Sequence, residues 1–90
     1  MTKLYIKKTN IGTWYYKDPE MTILHRENAP ACEYANGLKV WYQNSKCHRL
    51  DGPAIEGVDG YKEYWYQGEK FPDIKTDEQW KRHLKWMKFL

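Results

Sequence analysis

Four side chains could together hold a metal ion: His25, Cys32, Cys47 and His48. Thiolate and imidazole are donors that zinc accepts, but structural zinc sites bring them as close pairs such as Cys-x2-Cys. Here the one adjacent pair is Cys47-His48, and both histidines stand before an arginine, as His25-Arg26 and His48-Arg49. A repeated dipeptide is explained by repeated structure, so no metal ligand set is expected. Cys47, His48 and Asp51 can also be drawn as a thiol dyad with a nearby carboxylate. Neighbours this close along a strand and turn rarely aim at one another, and the repeat already accounts for His48 and Asp51. The chain has no Gly-rich phosphate loop, nucleophile elbow or His-x-x-x-His pair. The expectation is therefore a protein without catalytic residues, metal or cofactor: not an enzyme.

Binding chemistry is better represented. Arg26 and Arg49 carry the planar fork that grips phosphate, or that pairs with Glu33 and Glu56 to tie one unit of the chain to the next. Aromatic residues make up 17% of the chain, with five Trp and eight Tyr against two Phe. Trp and Tyr combine a large apolar body with a polar edge, which suits half-buried sheet faces and interfaces. Trp41-Tyr42 and Trp65-Tyr66, read as matching places, form a candidate partner-binding row together with Arg26 and Arg49. Successive side chains of a strand point to opposite faces, so one member of each pair turns away from the other. Lys81, Arg82, Lys85 and Lys88 form a possible secondary basic face. The formal charge is only +3, and strong nucleic-acid binders usually carry a larger contiguous basic surface.

These residues are positioned by a repeat. Residues 25–39 read HRENAPACEYANGLK and residues 48–62 read HRLDGPAIEGVDGYK, identical at seven of fifteen positions at a spacing of 23. The Trp-Tyr-Gln of Trp41–Gln43 recurs at Trp65–Gln67, 24 residues on. That slip implies one extra residue near Tyr64, as a β-bulge would insert. Asn36-Gly37 and Asp59-Gly60 are two-residue turn signals, because both central residues of a type I′ turn need positive φ. β-prone runs flank each of them. Gly12–Tyr16, followed by a loop and His25-Arg26, reads as a leading half-repeat. From Thr76 the period changes. Thr76 and Gln79 fit a capping box, and Trp80, Leu84, Met87 and Leu90 form a stripe at helical spacing. The expected fold is mainly β: an antiparallel sheet of repeated β-hairpins with one C-terminal α-helix packed on it. It is one domain over residues 1–90. Residues 1–24 hold an N-terminal strand and half-repeat, 25–47 and 48–71 the repeats, and 76–90 the capping helix. With no apolar leader or membrane-length run, the expected location is the cytoplasm. There Cys32 and Cys47 would be free thiols or packing residues.

The His-Arg-x-Asp-Gly-Pro-Ala unit, then Asp-Gly-x-Lys-Glu and Trp-Tyr, resembles the MORN-like repeat proteins of tailed phages, giant viruses and some bacteria. The match is closest at His48–Ala54, Asp59–Glu63 and Trp65–Tyr66, and the first copy departs from it at Asn28, Ala29 and Ser45. The resemblance implies a repeat scaffold on which partners vary. With two repeats, it implies a phage accessory protein that binds a host protein, in the host cytoplasm, and inhibits or redirects it. The alternative is a nucleic-acid or nucleotide binder using stacked aromatics and the basic helix.

Overall fold

The computed structural model describes residues 3–87. Strand β1 (Tyr5–Thr9) turns through Asn10-Ile11 into β2 (Gly12–Tyr16), with Thr9 opposite Gly12 and Tyr5 opposite Tyr16. After a loop come β3 (Cys32–Tyr34), β4 (Lys39–Val40), and a small hairpin of β5 (Tyr42–Gln43) with β6 (Lys46–Cys47). The second repeat supplies β7 (Ile55–Glu56), β8 (Lys62–Glu63), and the hairpin of β9 (Trp65–Tyr66) with β10 (Glu69–Lys70). Helix α1 spans Asp77–Trp86. The main sheet is antiparallel in the order β1-β2-β3-β4-β7-β8, and the two small hairpins form their own ladders beside it. This is the mainly β, hairpin-rich architecture with a C-terminal helix that the sequence implies.

Equivalent backbone bonds show how the units correspond. Ala31 N–H donates to Val40 O and Ala54 N–H to Glu63 O, each at 2.9 Å. His48 N–H donates to Trp41 O, and Phe71 N–H to Tyr64 O. Ser45 N–H donates to Leu24 O, and Gly68 N–H to Cys47 O. Every one of these pairs is offset by 23 residues, so the expected bulge near Tyr64 is absent and the sequence match at Trp-Tyr-Gln is out of register by one. Trp41 corresponds to Tyr64, and Tyr42 to Trp65. A leading rung joins them, because Tyr15 N–H donates to Ala31 O as Trp41 N–H does to Ala54 O. Tyr15, Trp41 and Tyr64 thus occupy one position in three successive rungs.

Turn chemistry differs from expectation in the same instructive way. Asp59 and Gly60 have φ of 60° and 79°, as a type I′ turn requires. At the matching Asn36-Gly37 turn of the first copy, Gly37 is left-handed at φ 96° and Asn36 is not. Tyr34 O accepts from Gly37 N–H while Tyr34 N–H donates to Leu38 O, a three-residue connection closed by glycine. The small hairpins carry the turns that the motif reading passed over. Asn44 and Ser45 have φ of 51° and 64°, and Gln67 and Gly68 46° and 87°.

Two clusters form the core. Cys32, Val40, Cys47 and Ala54 are buried, with Trp14, Leu24, Tyr34, Leu38, Trp41, Tyr42, Ile55 and Trp65 packed around them. The second comprises Tyr64, Trp80 and Leu84 with Tyr66, Phe71 and Ile74. Helix α1 starts at the expected capping box: Gln79 N–H donates to Thr76 Oγ1 at 3.1 Å, and Thr76 N–H to Gln79 Oε1 at 3.2 Å. Its Trp80 lies against Tyr64 and Phe71, at ring-centre distances of 5.6 and 5.5 Å. The Trp80 indole N–H donates to Arg49 O at 3.2 Å. Met87 ends the helix, half-buried, and Leu90 lies outside the described residues.

Trp80→Ala is expected to destabilise the fold by about 3–5 kcal/mol, since it opens a cavity over Tyr64 and orphans Arg49 O. An unchanged denaturant midpoint would contradict the capping role. Gly37→Val and Gly60→Val should each cost about 1 kcal/mol or more. Gly37→Val should cost more, because a Cβ there would meet Val58 Cγ1 at 2.9 Å, whereas none lies within 4 Å of Gly60. The same measurement decides the order.

Candidate functional site: the rungs and the outer face of the helix

Arg26 spreads its guanidinium 3.9 Å over the Tyr15 ring, and Arg49 does the same over Trp41. Arg26 Nη1 donates to Pro30 O at 3.2 Å and to Glu33 Oε1 at 3.3 Å. Arg49 Nη1 donates to Pro53 O at 3.0 Å and to Glu56 Oε1 at 2.7 Å, and its Nε donates to Asp51 at 2.8 Å. Both arginines therefore tie unit to unit through carboxylate and aromatic face together. The third rung has Pro72 where an arginine would stand, 23 residues after Arg49, and there Trp80 covers Tyr64 instead.

The second clamp is the more complete, and the differing residues say why. Asp51 holds Arg49 where the first unit has Asn28. Gly52 leaves room where the first unit has Ala29: a Cβ on Gly52 would come within 3.1 Å of the guanidinium carbon. A side chain there would make the Arg49 guanidinium give by a few tenths of an ångström.

The four members of the candidate aromatic row are all half-buried, and they divide between the two core clusters. Trp41, Tyr42 and Trp65 are half-buried against the larger core cluster, and Tyr66 against the helix cluster. Trp65 donates its indole N–H to Glu63, and Tyr66 lies 5.0 Å from the His48 ring. Trp41 and Arg49 do line one groove of about 360 Å³ with Asn28, Gln43, His48, Leu50 and Asp51.

The donors considered for metal or thiol chemistry are engaged separately. Asn44 N–H donates to His25 Nδ1 at 3.1 Å, and Gln67 N–H to His48 Nδ1 at 2.9 Å, so each histidine braces the turn of its own small hairpin. Cys32 and Cys47 are free and buried. Burial pushes their thiols up to about 11 and about 12, which keeps them protonated and unreactive. Asp51 is committed to Arg49. Among the described residues no three His, Cys, Asp or Glu side chains gather as a metal site. No described helix is long and apolar enough to cross a membrane.

Among the described residues, the most exposed large apolar side chain is one the motif reading passed over. Trp86 on α1 is 84% exposed. It rims a groove of about 400 Å³ with Asp73, Ile74, Gln79, Arg82 and His83. His83 Nε2 is buried there without a hydrogen-bond partner among the described residues, its ring stacked on Trp80 and tilted against Phe71. Lys81, Arg82 and Lys85 are exposed on the same helix, and Lys88 lies outside the described residues. The signal for Trp86 was in the sequence: six residues after Trp80 at 100° per residue, it falls well off the Trp80/Leu84/Met87 stripe. In comparisons with known proteins, no family model, curated protein or solved structure matches this chain.

His48 gives the site a pH dependence. Burial lowers its pKa below the ordinary 6.5, and Nδ1 must stay unprotonated to accept from Gln67. The unfolded chain therefore takes up the proton first. The stability that the neutral ring confers is full above the unfolded value and is lost as pH falls through the lower folded one. His48→Gln should flatten the fall of melting temperature below pH about 6.5. An identical acid slope in the variant would contradict this role.

Proposed function

We propose that this chain is a small non-enzymatic binding module of the MORN-like kind, which docks on a protein through the outer face of α1. The observation that carries the reading is Trp86, 84% exposed at the rim of a groove it shares with Arg82. Trp and Arg dominate the energetics of protein interfaces, where a few anchors in a pocket carry most of the affinity. Trp86 lies off the buried Trp80 and Leu84 side of the helix, so its ring is presented to a partner and not to the core. Ile74 adds an apolar side chain to the groove lining beside Trp86. The rungs are less suited as the primary surface, because their aromatics already pack and their arginines are already paired. In the setting that the repeat resemblance implies, the partner is a host protein in the host cytoplasm, which the module inhibits or redirects.

One observation favours a second reading. Lys81, Arg82 and Lys85 are exposed on the helix that bears Trp86, and an exposed ring among cations is how single-stranded nucleic acid is held without sequence preference. Salt separates the two, since phosphate contacts release counterions and weaken steeply with ionic strength.

Trp86→Ala should weaken partner binding by about 2 kcal/mol or more while leaving the melting temperature unchanged. Affinity purification from host cells, with and without nuclease, supplies the partner for that measurement. Normal binding by the folded Trp86→Ala protein would overturn the reading. Capture that vanishes with nuclease would replace it with the nucleic-acid one.

A further inference from the structure

The two edges of the main sheet are treated differently. The β8 edge runs straight into Tyr64, which is fully buried beneath Trp80 and Leu84 of α1. At the other edge, no described residue pairs with the outer side of β1. This open strand, Tyr5–Thr9, is matched in length only by β2, and four of its five residues are exposed.

The register shows which backbone groups it offers. Tyr15 uses its N–H on Ala31 O and its carbonyl on His25 N–H, so its backbone faces away from β1. In an antiparallel pair the residue opposite such a position also turns its N–H and C=O outward. Ile6 is opposite Tyr15, and Lys8, two residues on, has the same orientation. The open edge therefore presents two donor–acceptor sets, spaced as an incoming strand needs them. Beside them, a groove of about 250 Å³ is lined by Lys7, Thr9, Asn10, Ile11, Trp14 and Tyr16. Alternate side chains of an added strand would pass over it.

Charge selects the occupant. Lys3, Lys7, Lys8 and Lys17 lie in this part of the chain, and its first acidic residue is Asp18. A second copy pairing here would put the lysines of both chains on one short ladder with no carboxylate to neutralise them. Edge lysines are a known protection against self-pairing. An acidic extended segment meets no such repulsion. We infer that the outer edge of β1 is a strand-addition site for an acidic extended segment of a partner protein, with backbone pairing at Ile6 and Lys8 and cation contacts from Lys7 and Lys8. Main-chain bonds supply the register in this mode of recognition, and alternate side chains supply the selectivity. The site is independent of the helix face, so a single module can join two proteins.

The test uses the whole chain and a short synthetic peptide alternating glutamate with valine, with a lysine–valine peptide as control. Amide hydrogen exchange is followed residue by residue. The acidic peptide should slow exchange at Ile6 and Lys8 by about tenfold or more, and the lysine peptide should not. Lys8→Pro removes one outward N–H and leaves the ladder to β2 intact, a substitution that edge strands tolerate. It should abolish the protection. Lys7→Glu/Lys8→Glu, which keeps every backbone donor, should weaken binding at least about tenfold at low salt. Unchanged exchange at Ile6 and Lys8 under saturating acidic peptide would overturn the proposal. So would equal protection by the lysine peptide, or undiminished binding to a folded Lys8→Pro protein.

Discussion

A guanidinium lying on the aromatic ring of the preceding rung is the contact on which this structure depends. The chain has little aliphatic material to build with. Its larger cluster rests on two cysteines, one valine and one alanine, closed from the sides by five aromatics with Leu24, Leu38 and Ile55. Such a core leaves a thin stability margin in a domain of 90 residues. Arg26 and Arg49 add what the core lacks, each covering a ring, pairing with a glutamate seven residues on, and donating to a proline carbonyl between. An exposed ion pair alone contributes little. These forks are partly buried, with side-chain exposures of 27% and 19%, and their planar faces are desolvated by the rings. A stacked cation gains up to about 2 kcal/mol in that setting.

The helix follows from the same constraint. Tyr64 stands in the third rung with Pro72 in the arginine's place, so no guanidinium covers its ring. Trp80 supplies that cover and takes the Arg49 carbonyl as partner. With the arginines used in the rungs and the Trp–Tyr pairs half-buried, the proposals above fall on two other surfaces among the described residues. They lie at opposite ends of the sheet order: the outer face of α1 and the free edge of β1. On the proposed reading, binding then falls to what closes or fails to close the repeats, and the repeats hold those two surfaces apart.

Much of this was legible in the residues, and the failures share one cause. The capping box, the buried Trp80/Leu84 stripe, the left-handed Gly37 and Gly60, and the pairing of Arg26 with Glu33 and Arg49 with Glu56 follow from local chemistry that needs no tertiary context. The register of the Trp-Tyr-Gln match does not. A rung requires a flat ring and is indifferent between Tyr15, Trp41 and Tyr64, so matching by residue identity aligned Trp65 with Trp41 and invented an insertion. The Asn44-Ser45 turn escaped notice because it lacks glycine; His25 stabilises it by accepting from the Asn44 N–H. Trp86 was overlooked because the helix was read for what it buries.

The most direct test of the account is a double-mutant cycle on the second rung, measuring unfolding free energies of Arg49→Met, Trp41→Leu and the pair. Met keeps much of the arginine's apolar stem while removing the planar cation, and Leu keeps apolar volume while removing the ring face. If stacking ties the rungs together, the two changes couple by about 1 kcal/mol or more, with the double variant less destabilised than the sum. Energies that add to within about 0.3 kcal/mol would contradict it and leave the repeats held by backbone pairing and core packing alone.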